Sequence, residues 1–160
     1  MGARIVEPGG PDGLAVVRQL FEEYAASLEV DLAFQGFEDE VAGLPGAYVR
    51  PAGGLFLGFD GEVPTGCVAF RPLEPGVSEM KRLYVRPTAR GAGWGRRLAG
   101  HVIEHAQAAG YRHMRLDTLP SMRAALGIYL AMGFREIPPY RHNPVAGTRF
   151  LELDLHAARG

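Results

Sequence analysis

Residues 84–106, YVRPTARGAGWGRRLAGHVIEHA, form the stretch that decides the fold, because here a strand-like apolar segment passes through arginines and glycines into a helix. The first N–H groups of a helix have no partner inside it. The aligned peptide dipoles also give that end of a helix about half a positive charge. The stretch therefore predicts a strand, an anion-binding turn and a helix in the middle of the chain.

The residues of this turn suit a phosphate or a pyrophosphate. Small residues let phosphate oxygens approach the main chain, and arginines supply full positive charge. The residues concerned are Arg90, Gly91, Ala92, Gly93, Trp94, Gly95, Arg96 and Arg97. A plain glycine turn with solvated arginines is the alternative, since short glycine patterns are weak signals when taken alone.

Two familiar nucleotide motifs do not fit these letters. A P-loop needs a glycine, four residues and then Gly-Lys-Ser/Thr, and the chain has no such run. The dinucleotide fingerprint needs another glycine three residues after the second, but the residue three after Gly93 is Arg96. The sequence therefore argues against both a Walker site and a Rossmann site.

Length and composition predict one domain over residues 1–160. The 160 residues are 47% hydrophobic, which is enough for a core of its own. The formal net charge is −1, so no overall positive field draws the chain to nucleic acid or to an anionic membrane. An anionic ligand must therefore be bound by local groups.

The single cysteine and the N-terminal residues bear on the compartment. Cys67 lies in a strand-like run, VPTGCVAF, which predicts a buried, reduced thiol; a catalytic cysteine is the alternative. The first residues lack the apolar core of a secretion signal, and no stretch approaches the roughly 20 apolar residues that span a bilayer. We therefore expect a soluble, cytoplasmic protein.

Apolar spacing and turn residues predict an α/β arrangement of elements. In the first half they predict a strand ending at Pro8, a helix over 13–28 with Asp12 as its cap, and a second helix over about 37–44. An antiparallel meander of three strands is predicted to follow, at 54–61, 63–73 and 77–85. In the second half they predict helices over about 93–109 and 121–132, alternating with strands at 113–119, 134–137 and 148–155.

The strand over 77–85 contains an irregularity. In an even pleat Met80 and Leu83 point to opposite faces, although both are candidates for the core. A one-residue bulge near Lys81 and Arg82 would place both on one face and would leave main-chain N–H groups unpaired unless a ligand accepts them. The alternative is an even strand in which Lys81 and Arg82 face solvent.

The whole pattern resembles the GNAT N-acetyltransferases. RGAGWG fits the Gln/Arg-x-x-Gly-x-Gly/Ala pyrophosphate motif of that family and follows a strand ending in RLYVRP. The likeness continues through residues 109–137, AGYRHMRLDTLPSMRAALGIYLAMGFREI, in the family's order of elements. It implies an α/β fold whose mixed, mostly antiparallel sheet is splayed at an acetyl-CoA site and flanked by helices on both faces.

The resemblance also implies which residues hold acetyl-CoA. The main chain of Leu83, Tyr84 and Val85 would bind the pantetheine arm, and the N–H groups of residues 90–96 would bind the pyrophosphate. An unpaired N–H near Leu83 would then polarise the thioester carbonyl. No metal is implied.

Two residues are implied in proton transfer. Tyr129 matches the family's general acid and shares a helical face with Met122 and Leu126; a packing tyrosine bonded to a carbonyl is the alternative. Glu79 occupies the position where several members place a carboxylate base that works through water. A solvent-facing Glu79 paired with a nearby lysine or arginine is equally open.

The remaining polar residues are less specific. His101 and His105 have the spacing of a metal pair, but no third ligand is evident, and we expect partly exposed helix residues. In similar proteins, the segment after the first helix and the loop at 138–147 border the acceptor pocket. Candidate acceptor residues there are Phe34, Gln35, Tyr140, His142 and Asn143, and an inert connector is the alternative.

The sequence thus predicts a cytoplasmic acetyl-CoA-dependent N-acetyltransferase, in which a primary amine of a small molecule or peptide attacks the thioester directly in a ternary complex. A non-catalytic acyl-CoA-binding module is the alternative, and a longer acyl group or an alcohol acceptor is also open. The final strand could pair within the monomer or across a homodimer.

Overall fold

A computed structural model describes residues 2–28 and 31–158, without the side chains at 34, 35, 157 and 158. The strands are β1 Ala3–Val6, β2 Gly54–Asp60, β3 Val63–Glu74, β4 Val77–Val85, β5 His113–Thr118, β6 Arg135–Ile137 and β7 Arg149–Asp154. The helices are α1 Gly10–Ser27, α2 Phe37–Ala42, α3 Trp94–Ala108, α4 Arg123–Ala131 and the single turn α5 Leu155–Ala158. Two 3-10 turns lie at Leu32–Gln35 and Pro87–Ala89.

One seven-stranded sheet, in the order β1-β2-β3-β4-β5-β7-β6, forms the centre of the molecule. Every neighbouring pair is antiparallel except β4 and β5, which are parallel. These two pair only where residues 77–79 meet residues 113–115, and beyond that point no register joins them. The expected mixed, mostly antiparallel and splayed sheet is therefore confirmed.

Helices cover both faces of the sheet, as expected. On one face α3 and α4 pack on a core that includes Val68, Leu98 and Leu151, and on the other α1 packs on a core that includes Phe21 and Cys67. Successive strand residues point to opposite faces, so Cys67 and Val68 enter different cores. Both layers hold the splayed strands in place.

The predicted bulge in β4 is present. Cys67 is opposite Tyr84 and Ala69 is opposite Lys81, so a single β3 residue faces the two β4 residues at 82 and 83. Met80 and Leu83 consequently both enter the core under α3. The alternative of solvent-facing charges is wrong, because Lys81 is 6% exposed and Arg82 is 4% exposed.

Three further expectations are settled by the fold. Helix α1 begins at Gly10 with Gly9 as its cap, so Asp12 lies in the first turn and is not the cap. The Cys67 thiol is free and buried, and it donates a 3.4 Å hydrogen bond to the carbonyl of Arg82. Strand β7 pairs within the chain, with β5 on one edge and β6 on the other, as in the monomer alternative.

No helix within residues 2–28 and 31–158 combines the length and the apolar character needed to cross a bilayer.

Candidate active site

The splay between β4 and β5 opens a cleft beside the bulge. Its walls include Lys81, Arg82 and Leu83 from β4, Leu116 and Asp117 from β5, and Tyr129 from α4. A bulge bends its strand, and this one, at residues 82 and 83, begins three residues after Glu79, the last residue of β4 that pairs with β5. The spacing of Met80 and Leu83, which predicts the bulge, therefore also indicates the part of β4 where the sheet opens.

Arg82 is the bulge residue with an unusual backbone. Its φ is +60°, and it is the only non-glycine residue with a positive φ in the part of the chain that the structure describes. Such a conformation is uncommon for a residue with a long side chain and persists only where the surrounding structure fixes it. The Arg82 guanidinium is fixed by two hydrogen bonds to Glu40 of α2, of 2.9 and 2.8 Å.

The glycine turn lies at the end of β4, as predicted. Gly91 has a φ of +87° and Gly93 a φ of +82°, and helix α3 begins directly after them. The first hydrogen bond into the helix runs from the N–H of Arg97 to the carbonyl of Gly93 at 3.1 Å. The N–H groups of residues 94–96 therefore lack partners within the helix and lie at its exposed end.

Arginine side chains surround this turn. Arg90, Arg96 and Arg97 are all exposed, and Arg90 Nε donates to the carbonyl of Val85 at 3.2 Å. This bond joins the turn to the last residue of β4. Amides without a partner inside the helix, the N-terminus of α3 and the arginines together suit an anionic group such as a pyrophosphate.

Two residues of the turn serve packing as well. The Trp94 ring is buried, and a Cβ at Gly58 would lie 2.8 Å from it, so only the main chain of Trp94 belongs to the turn. A Cβ at Gly95 would lie 2.8 Å from Ile128 Cδ1, so glycine there allows α3 to approach α4. These contacts set the position of the turn relative to the cleft.

The β4 edge at residues 83–85 borders the cleft. Tyr84 and Val85 pair with β3 on one side, whereas the pairing of β5 with β4 stops at Glu79. The side chain of Tyr84 points to the α1 core and donates a hydrogen bond to Glu23 at 3.3 Å. The main chain of this segment is thus the part that a ligand in the cleft can reach.

Tyr129 lines the cleft from α4 and is only 5% exposed. Its ring packs against Phe134 with centroids 5.6 Å apart. Among the described residues no hydrogen bond to its hydroxyl is formed, unlike the carbonyl-bonded tyrosine considered from the sequence. Burial raises the pKa of the phenol, so Tyr129 holds its proton throughout the neutral range.

Glu79 is fully buried beside the cleft and has partners on both carboxylate oxygens. Arg71 contacts Oε1 at 3.0 Å, while Arg141 and the Tyr140 hydroxyl contact Oε2 at 2.7 Å each. Burial alone would raise the pKa of this carboxyl, but Lys81, Arg141 and Tyr140 outweigh it and lower the pKa. The arginine pairing considered from the sequence is present, but the solvent-facing position is not.

Lys81 is a site residue that the sequence reasoning missed. It lines the cleft, and burial together with the adjacent Arg82 lowers the pKa of its ammonium to about 8. One signal was available in the sequence, because Lys81 is the only lysine in the chain. Every other lysine-or-arginine position in the chain is an arginine, so the single lysine beside the predicted bulge stands out.

The five predicted acceptor residues fall in different places. Asn143 lines the cleft and its amide donates to Asp117 at 3.4 Å, whereas Tyr140 contacts Glu79 and His142 is exposed. The side chains of Phe34 and Gln35 lie outside the described part of the structure. The loop at 138–147 thus supplies Asn143 to the lining of the cleft, whereas Tyr140 contacts Glu79 and does not line the cleft itself.

His101 and His105 are half-buried on α3, as expected, with ring centroids 4.5 Å apart and both rings against Phe56. Within the described residues no three metal-binding side chains come together.

Comparison with known proteins identifies the same family along most of the chain. The model of the Acetyltransferase (GNAT) family matches residues 16–134. An uncharacterized N-acetyltransferase of Schizosaccharomyces pombe is 37% identical over 147 residues, which are 91% of this chain and 90% of that protein. An IAA acetyltransferase of Azospirillum brasilense is 37% identical over 92 residues, 56% of this chain and 60% of that protein.

Solved structures share the fold at low sequence identity. An acetyltransferase of the GNAT family from Staphylococcus aureus superposes with a TM-score of 0.80 at 19% identity, covering 96% of this chain and 99% of that one. A putative acetyltransferase from Salmonella typhimurium, solved with its cofactor acetyl-CoA, has a TM-score of 0.73 at 18% identity, covering 97% and 95%.

Proposed function

The chain belongs to the GNAT acetyltransferase family and is an acetyl-CoA-dependent acyltransferase, and from this premise we propose that it acetylates a primary amine by direct attack in a ternary complex. The observation that carries the proposal is the splay between β4 and β5: Tyr129 lines the cleft that the splay opens, and the glycine turn and helix α3 follow the end of β4 along the chain. The same strand thus leads from the cleft, where Tyr129 can serve as proton donor, to a turn that suits the anionic part of a coenzyme.

The chain's residues fit the coenzyme. Bound acetyl-CoA supplies a thioester carbonyl that an amine can attack. The amides at the start of α3 and the side chains of Arg90 and Arg96 hold the pyrophosphate, and the β4 main chain at 83–85 holds the extended arm. In this proposal, the main-chain N–H of Leu83 at the bulge would stabilise the carbonyl oxygen as negative charge develops on it.

Tyr129 is the proposed general acid. Its buried hydroxyl keeps its proton and can donate it to the departing sulfur. A thiolate of ordinary basicity, with a pKa of about 8.5, needs assistance more than full protonation. Tyr129 lines the cleft from α4, and Lys81, Arg82 and Leu83 line it from β4.

Direct attack is supported by the position of the only cysteine. Cys67 lies in the α1 core, is fully buried and donates to the Arg82 carbonyl. Burial raises the pKa of its thiol, which is the reverse of what a nucleophilic cysteine needs. A covalent acetyl-cysteine on the enzyme is therefore not part of the proposal.

Glu79 is the base that the family resemblance implies, acting through water. Its two arginine partners and lowered pKa leave it a weak proton acceptor while those contacts last. We expect the acceptor to be a small molecule or a peptide amine, and the site of action to be the cytoplasm.

The test follows free thiol while the protein is incubated with acetyl-CoA and a panel of amines and alcohols. We expect thiol release that depends on an amine and an acetylated amine of the expected mass. Calorimetry with CoA runs in parallel. Binding of CoA without thiol release from any acceptor would replace the proposal with a non-catalytic binding module.

A further inference from the structure

We propose that Lys81 accepts the proton that the acceptor ammonium must lose before it attacks, an inference that rests on the proposed amine acetylation. Lys81 is the only lysine among 17 lysine and arginine residues, and it lies in the cleft rather than on the surface. A lysine can release and take up a proton near neutral pH, whereas an arginine cannot. Among the lysine and arginine residues, the one able to do so is therefore placed at the reaction site.

Glu79 is poorly placed for the same task. Its carboxylate is 0% exposed, it does not line the cleft, and Arg71, Arg141 and Tyr140 contact its two oxygens. If Glu79 took up a proton, its carboxylate would become neutral and would lose its ion pairs with two guanidinium groups. Glu79 acts instead as a positioning residue, whose negative charge faces Lys81 from the same strand.

The charges around Lys81 keep it near the point of titration. The positive charges of Arg71 on β3 and Arg82 on β4 disfavour the charged form of Lys81. The negative charges of Glu79 on β4 and Asp117 on β5 favour that form. Glu40 of α2 also faces this cluster, and Tyr24 of α1 and Tyr129 of α4 enter the cleft as neutral phenols. Burial shifts this balance toward the neutral amine, and the pKa of Lys81 falls to about 8.

The proposed step balances as follows. Neutral Lys81 takes one proton from the acceptor ammonium, and the freed nitrogen lone pair forms the C–N bond as the C–S bond breaks. Tyr129 donates its proton to the departing sulfur and regains one from the nitrogen. Each turnover then releases one proton to water through Lys81. Asp117, on the facing strand, attracts the incoming ammonium.

Two other roles for Lys81 compete with this one. A permanently charged Lys81 could hold a carboxylate of the acceptor, and an uncharged Lys81 could itself be acetylated. Lys81→Arg separates the first role, because it keeps the charge but gives up no proton at assay pH. Peptide mass mapping after incubation with acetyl-CoA detects the second, because it separates the peptide that contains Lys81, the only lysine, from the one that contains the α-amino group.

The first measurement is the pH dependence of kcat/KM for two isomeric amines, 2-phenylethylamine and 4-ethylaniline. The alkylamine is protonated at neutral pH and the arylamine is not. Lys81→Gln and Lys81→Arg should both lower kcat/KM for 2-phenylethylamine by about 100-fold or more and remove the rise in activity near pH 8. For 4-ethylaniline, the same variants should differ little from the wild type.

Arg149→Gln is the matched control, because it removes a cation that pairs with Glu136 and does not line the cleft, and it should keep the rise near pH 8. Full activity of Lys81→Arg with the alkylamine, or an acetyl group on Lys81, would overturn the inference while amine acetylation stands. A wild type that acetylates no amine would remove the proposed function itself. The two failures are thus distinguishable.

The second measurement needs no acceptor. Protein labelled with [15N]lysine has one side-chain signal, and it should titrate near pH 8 and be absent from Lys81→Gln. A midpoint at or above the ordinary lysine value of about 10.4 would overturn the inference whatever the kinetics show.

Discussion

The guanidinium of Arg82 and the carboxylate of Glu40 form two parallel hydrogen bonds, of 2.9 and 2.8 Å, between the β4 bulge and helix α2. Both side chains are largely buried, at 2% and 14% exposed. Burial raises the pKa of Glu40, but the bonds and charge of Arg82 outweigh this, so its pKa is lowered. The pair ties the segment after α1 to the wall of the cleft.

Glu40→Gln should therefore destabilise the protein by about 3 kcal/mol, because it leaves the buried guanidinium without its counter-charge. Urea unfolding at neutral pH measures the change. Glu136→Gln is the control, since Glu136 and Arg149 form an ion pair that is half exposed and should contribute little. Equal stability of Glu40→Gln and wild type would show that the Arg82–Glu40 pair does not hold α2 in place.

Tyr129→Phe should lower kcat by about 100-fold or more while changing the KM for acetyl-CoA little, because only the proton donated to sulfur is lost. The ring and its contact with Phe134 remain, so thermal stability should change little. Tyr111→Phe removes a hydroxyl that bonds to the carbonyl of Ala52, away from the cleft, and should keep full activity. Equal activity of Tyr129→Phe and wild type would rule out the general acid.

Gly91→Ala should weaken CoA binding, because the φ of +87° at this position is unfavourable for a residue with a side chain. The cost of the left-handed conformation is about 1–2 kcal/mol, which corresponds to roughly a tenfold loss if the turn relaxes away from its binding shape. Calorimetry with CoA measures it.

Gly100→Ala is the control for that substitution. Gly100 lies inside α3, and a Cβ there would meet Met132 Cε at 3.8 Å, an ordinary contact. Alanine should raise stability by about 0.5–1 kcal/mol and leave CoA binding unchanged. Unchanged CoA binding by Gly91→Ala as well would argue against the turn as the pyrophosphate site.

The sequence predicted the parts of the site that local pattern determines. The phase conflict between Met80 and Leu83 located the bulge, and the glycines after Arg90 located the turn, because pleat and φ preferences act over a few residues. The order of strands and helices followed from the same local signals.

Partners far apart in sequence were not predictable in this way. Glu40 and Arg82 are 42 residues apart in the chain, and Tyr140 and Glu79 are 61 residues apart. No local sequence pattern therefore predicts either contact. A surface position for Lys81 was the alternative that the sequence left open, because lysine is almost never fully buried. Its burial follows from the bulge and from the α1–α2 layer that covers it, which only the assembled fold shows.

The buried Glu79 network predicts an acid-sensitive contribution to stability. Lys81, Arg141 and Tyr140 outweigh the effect of burial and lower the pKa of Glu79 in the folded protein, whereas the unfolded chain has the ordinary value of about 4.3. The folded state therefore favours the ionised carboxylate: its stabilisation is complete above about pH 4.3 and is lost as the pH falls through the lower, folded-state pKa.

Glu79→Gln should be less stable than the wild type at pH 7, by about 3 kcal/mol, and should lose less of its remaining stability on acidification. Urea unfolding between pH 7 and pH 3 measures both effects, with Glu136→Gln as the control that keeps the wild-type slope. Parallel curves for Glu79→Gln and wild type would mean that Glu79 is not ionised in the fold, and would return it to the role of a proton-carrying group.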